Sequence, residues 1–241
     1  MNGDGNSRVR AGMPPSGAAW IILVLACVLM ACNSDHPAYE TGGRTANGPA
    51  TACEGTIVAL GDSLSAGLGV DEDEAYPALL ARKLAADGYH FEVVNAGISG
   101  ETSSGVRERL QWVLSSLKPD IVILETGAND GLRGQDPGLL KKNLEALLAQ
   151  LKARNIIVVL AGMRMPPNLG MPYTRAFDNV YPQVADAHDV IFMPFFLESV
   201  AGRPRLNQAD NLHPNALGYE HIVEDLYPYV LKAIKRYRGK K

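Results

Sequence analysis

The 241-residue chain holds only three cysteines, too few to frame a fold with disulfides. It also lacks a basic stripe: lysines and arginines are scattered, the formal net charge is −3, and the one cluster, at 235–241, reads as a solvated helix end. A nucleic-acid partner is therefore not expected. No set of His, Cys, Asp and Glu has metal-ligand spacing, so neither a metal nor another cofactor is expected. The turn after the first apolar strand lacks a G-x-G-x-x-G pattern, which disfavours a nucleotide-binding module. Nor does any apolar run reach the roughly 20 residues that span a bilayer.

The apolar run at 18–31 follows Arg8 and Arg10, an order that reads as an export signal over 1–31. It ends in Leu29-Met30-Ala31-Cys32, which resembles a bacterial lipobox. That resemblance implies lipidation of Cys32 and a periplasmic protein anchored to a membrane. Cys27 would then leave with the signal, and Cys53 would stay a free thiol; the alternative is cleavage elsewhere and a Cys32–Cys53 disulfide. Residues 32–52 are rich in Gly, Pro, Thr, Ala and Asn and almost free of large apolar side chains, the composition of a flexible tether. The remainder, 53–241, is the size of one ordinary domain and is expected to act as a monomer.

Within that domain, short β-branched runs at 56–60, 91–94, 120–125, 155–161 and 190–193 read as strands. Their near-continuous apolarity implies cover on both faces. Helical patterns fall between and after them at 75–87, 103–117, 137–154, 173–187 and 215–238. Asp136-Pro137 is a cap-and-first-turn pair, and Lys118-Pro119 closes a helix before the third strand. The alternation predicts a three-layer αβα sandwich around a parallel sheet of about five strands.

Four short motifs carry chemistry: Gly61-Asp62-Ser63-Leu64, Asn95-Ala96-Gly97, Gly127-Ala128-Asn129-Asp130 and Asp210-Asn211-Leu212-His213-Pro214. Ser63 leaves a strand beside a glycine, an exit that exposes a hydroxyl as a nucleophile needs. A serine hydroxyl is weakly nucleophilic near neutrality, and an imidazole can take its proton and return it to a leaving group, which singles out His213. Asp210, three residues earlier, is spaced to meet Nδ1 and fix the tautomer, leaving Nε2 for Ser63. The Ser63 and Gly97 backbone N–H groups and the Asn129 amide are candidate donors for an oxyanion. Taken singly, Ser63 reads as a turn serine, Gly97 as a left-handed turn, Asn129 as a turn cap and Asp210 as a helix cap. Ser63, Gly97 and Asn129 each fall just after a strand, on the sheet edge where open parallel sheets bind ligands.

These motifs resemble those of the SGNH hydrolases of the GDSL group, whose four eponymous residues correspond to Ser63, Gly97, Asn129 and His213. Gly100-Glu101-Thr102-Ser103, the run Gly131-Leu132-Arg133-Gly134 and Pro194-Phe195-Phe196 are similar to its periplasmic thioesterase I, lysophospholipase and arylesterase branch. The resemblance implies a flavodoxin-like fold, the triad Ser63–Asp210–His213, and hydrolysis of acyl esters and thioesters through an acyl-enzyme. A carbohydrate O-deacetylase of the cell envelope and a catalytically idle lipid-binding module are the alternatives. The apolar connection 163–173 suggests an acyl groove bordered by Leu169 and Met171. On that expectation, polar replacement of either would harm medium-chain esters more than acetates.

Overall fold

Valine, isoleucine and leucine runs supply the sheet. A computed structural model describes residues 52–240. Its five parallel strands are β1 (Gly55–Gly61), β2 (Phe91–Gly97), β3 (Ile121–Glu125), β4 (Ile157–Ala161) and β5 (Ile191–Met193), in the order β2-β1-β3-β4-β5. The signal segment 1–31, Cys32 and the tether up to residue 51 lie outside the described residues.

Helices cover both faces, so the central strands carry no polar side: Ile57–Leu60 and Ile121–Leu124 are fully buried. One layer holds α2 (Tyr76–Ala86) and α8 (Ala216–Arg238); the other holds α3 (Ser103–Leu117), α5 (Pro137–Ala153) and α7 (Val180–Ala187). Asp136 caps α5 as expected, accepting from Gly138 N at 2.9 Å. Among the described residues, no helix is long and apolar enough to cross a membrane.

Two features depart from the sequence pattern. The helix expected over 173–187 is two helices, α6 (Met171–Asp178) and α7. Pro182 in the first turn of α7 has no N–H to offer the Asp178 carbonyl, so the chain breaks at Asn179. Two short helices also open directly after strands, α1 (Ser63–Ala66) and α4 (Ala128–Leu132), too brief to show a helical period.

Strand register brings the functional edge together. Gly61 is level with Gly97 and with Glu125, Glu125 with Ala161, and Ala161 with Met193. All five carboxyl ends therefore finish in one row, and the loops that follow β1, β2 and β3 emerge side by side.

Candidate active site

Ser63 is the first residue of α1, two residues beyond β1. Asp62 caps that helix by accepting from Leu64 N at 3.0 Å, which fixes the turn presenting the hydroxyl. Ser63 Oγ lies 2.9 Å from His213 Nε2, and His213 Nδ1 lies 2.6 Å from Asp210 Oδ2. The three side chains thus form one continuous hydrogen-bonded chain.

The loop carrying His213 is closed on itself. Asn207 and Pro214 form an antiparallel bridge, Gln208 N donates to His213 O at 2.8 Å, and Asn211 takes a left-handed conformation at φ 57°. Asp210 Oδ1 accepts from the backbone of Leu212 at 2.9 Å and of His213 at 3.0 Å, while Oδ2 takes the ring. The three-residue spacing therefore works through a turn in which one carboxylate holds both the backbone and the imidazole. The His213 backbone N–H, then its ring, draw the Asp210 carboxyl down to about 2.

Of the expected oxyanion donors Asn129 lines the same space as Ser63, and both Asn129 and Gly97 are already engaged. Asn129 Nδ2 donates to Asp62 Oδ2 at 3.1 Å and to Glu101 O at 3.0 Å. Gly97 N donates to Asn95 Oδ1 at 2.9 Å. Ser63 N–H, one of the first N–H groups of α1, has no intrahelical acceptor. An oxyanion here would take over positions that Asn95 and the Asp62–Glu101 pair of acceptors now hold. Gly97 is glycine for want of space rather than for a left-handed turn: a Cβ would sit 2.2 Å from Ala66 N.

Beside Ser63 and His213 lies a cleft of about 110 Å³ whose apolar wall is Leu132, Met163, Met165, Pro166, Leu197 and Leu212. The expected pair Leu169 and Met171 is not part of it. Leu169 packs against the core, and Met171 opens α6 half-exposed. The methionine-rich connection thus contributes its first half to the cleft, joined by Leu132 from the end of α4 and by Leu197 and Leu212 from two loops.

Several residues around the site were not read from the sequence as functional. Arg109 binds both Glu101 oxygens at 2.6–2.8 Å and the Ala96 carbonyl at 2.7 Å, tying the end of β2 to the loop whose carbonyl receives Asn129. Asp62 and Glu125 are fully buried behind Ser63. Burial raises the Asp62 carboxyl to about 6, and burial together with the Asp62 charge raises Glu125 further above the usual carboxylate range. No local signal marks such residues, because their partners are distant in sequence.

Residues 59–221 match the model of the GDSL-like lipase/acylhydrolase family. The chain is 42% identical over 173 residues to esterase TesA of Pseudomonas aeruginosa, covering 72% of this chain and 86% of that protein. It is 42% identical over 164 residues to thioesterase 1/protease 1/lysophospholipase L1 of Escherichia coli strain K12, covering 68% and 77% of the two chains. The crystal structure of a TesA superposes with a TM-score of 0.72 at 41% identity, covering 74% of this chain and 99% of that one.

Proposed function

The chain belongs to the GDSL-like lipase/acylhydrolase family and is a serine esterase, and from that premise we propose that Ser63, His213 and Asp210 carry the hydrolysis of acyl esters and thioesters. The observation that carries this reading is the unbroken Ser63–His213–Asp210 chain at 2.9 and 2.6 Å beside an apolar cleft.

Ser63 Oγ attacks the acyl carbonyl carbon as His213 Nε2 takes the hydroxyl proton. The carbonyl oxygen becomes an oxyanion facing the Ser63 and Gly97 N–H groups and the Asn129 amide. Collapse of that intermediate breaks the ester or thioester bond, and the imidazolium gives its proton to the leaving alcohol or thiol. Water then attacks the acyl-enzyme with His213 again as base, releasing the acid and restoring Ser63. Ionised Asp210 steadies the imidazolium formed in both halves. Every named group comes from one chain, so a monomer suffices.

The acyl chain rests on the Leu132–Leu212 side of the cleft in this reading, which favours chains longer than acetyl. Burial of a methylene stabilises by about 0.8 kcal/mol, so losing a leucine face that covers about two methylenes should cost about tenfold on a chain long enough to touch it. Leu132→Asn and Leu212→Asn are accordingly expected to lower kcat/KM for p-nitrophenyl octanoate about tenfold while leaving the acetate ester within about twofold. Equal losses on both esters would remove the acyl cleft. Wild-type activity confined to acetate would replace this reading with an O-deacetylase.

We also propose export to the periplasm and anchorage of the chain through Cys32, on the strength of the lipobox-like Leu29-Met30-Ala31-Cys32. Cys32→Ala is expected to abolish incorporation of radiolabelled palmitate in expressing bacteria and to leave hydrolysis intact. Persisting label would refute the anchor.

A further inference from the structure

Behind Ser63 lies a buried polar cluster that the hydrolytic cycle leaves unused. Glu125 ends β3, level with Gly61 of β1 and Ala161 of β4, and is fully buried. Its Oε2 accepts from Ser65 Oγ at 2.9 Å and from Asp62 N at 3.4 Å, while Oε1 has no partner among the described residues. Asp62, equally buried, accepts from Leu64 N on Oδ1 and from Asn129 Nδ2 on Oδ2, at 3.0 and 3.1 Å. Asp62 and Glu125 meet where the Asp62 N–H points at Oε2, and each carboxyl bears on the ionisation of the other.

The groups facing this pair come from several elements. They are Ser65 of α1, Tyr76 of α2, Asn129 of α4, Tyr181 of α7, Tyr219 of α8 and His213 of the catalytic loop. Tyr76 Oη is 3.1 Å from Ser65 Oγ, Tyr181 Oη donates to Thr126 O at 2.8 Å, and Tyr219 Oη is a buried hydroxyl without a partner among the described residues. Among the described residues, no lysine or arginine hydrogen-bonds either carboxyl. Arg109 reaches the Gly61 carbonyl at 3.3 Å, but its guanidinium is committed to the Glu101 carboxylate.

Two neighbouring buried carboxylates, without a cation among the described residues, cannot both stay ionised. Asp62 accepts two N–H donors that reward its charge, and the His213 ring faces it. Glu125 has one hydroxyl donor and a long N–H contact, both on Oε2. The charge therefore belongs on Asp62 and the proton on Glu125.

We propose that Glu125 is a positioning residue held as a neutral carboxylic acid, protonated on Oε1, which keeps a single negative charge on Asp62 to orient the Asn129 amide and the Ser63 turn. The inference rests on the catalytic roles given above to Ser63 and Asn129. A second charge in the cluster would work against the oxyanion forming beside it, whereas none at all would leave Asn129 without its anchor.

The test combines turnover with the ionisation state read directly. Glu125→Gln keeps both the shape and the neutrality of the acid and should retain kcat within about threefold. Glu125→Ala should lose about tenfold or more in kcat at nearly constant KM, because the charge-assisted bond to Asn129 is no longer held in place. In protein labelled with ¹³C at the glutamate carboxyls, the resonance missing from E125Q should stand at the protonated position at pH 7. A resonance at the carboxylate position, or a folded E125Q as impaired as E125A, would overturn the proposal. Should E125A fail to fold, the wild-type resonance still decides. Ser63→Ala in parallel separates the two readings: an inactive variant with Glu125 ionised sinks this inference alone, and an active one sinks the catalytic assignment.

Discussion

Ser63→Ala is expected to lower kcat/KM for p-nitrophenyl butyrate by at least about 10⁴-fold, since the acyl-enzyme cannot form without Oγ. Ser63 is buried at the first position of a helix, and among the described residues its side chain hydrogen-bonds to His213 alone, so alanine fits without a clash. The unfolding temperature should therefore stay within a few degrees of wild type, and circular dichroism would show an intact fold. A variant keeping more than about one part in a hundred of the activity would mean another nucleophile. The pH dependence of the wild type adds a second readout, because His213 must be neutral to accept the Ser63 proton and rates should fall on the acid side. Asp210, drawn down to about 2, stays ionised from pH 5 to 8, so loss of rate in that window does not come from Asp210. Because its folded value is depressed, Asp210 stabilises the loop above the ordinary carboxylate range and ceases to do so as pH falls toward 2. A flat profile between pH 5 and 8 would count against His213 as the base.

The sequence carried the layer structure because the strands are short, apolar runs divided by helical patterns, and all five formed where expected. The five candidate site residues, Ser63, Gly97, Asn129, Asp210 and His213, could be singled out for a related reason: each sits in a motif whose spacing has a local meaning, as with Asp210 and His213 inside one closed turn. The cleft was not legible, since its wall is assembled from Leu132, Leu197 and Leu212 on separate segments far apart in sequence. The methionine and proline run near 163–173 drew the expectation to Leu169 and Met171, and only packing shows Leus and Mets of one segment dividing between cleft and core. Glu125 drew no expectation from the sequence. An acid closing the strand Ile121–Glu125 reads as the residue that returns to water, and only the register beside Gly61 puts it under α1. Gly61 leaves it that room: a Cβ there would meet Glu125 Oε2 at 2.6 Å and Ser65 Oγ at 2.2 Å.

Asn129→Ala is expected to reduce kcat by about 100- to 1000-fold with KM changed less than about threefold, the pattern of a donor whose bond strengthens as negative charge develops. The resting hydrogen bonds make this prediction sharper than the motif alone would. Asn129 Nδ2 spends its two hydrogens on Asp62 Oδ2 and Glu101 O, so the donor is oriented before substrate arrives. Alanine removes both bonds and takes one donor from a buried carboxylate, which should cost about 1–3 kcal/mol of stability and push Asp62 higher still. Two signatures should therefore appear together, a fall in kcat and a lowered unfolding temperature. The stability loss alone cannot mimic the kinetic one, because assays at low temperature on folded protein would restore activity lost merely to unfolding. A rise in KM at unchanged kcat would instead place Asn129 in ground-state binding, and the oxyanion would then have only the Ser63 and Gly97 N–H groups to face.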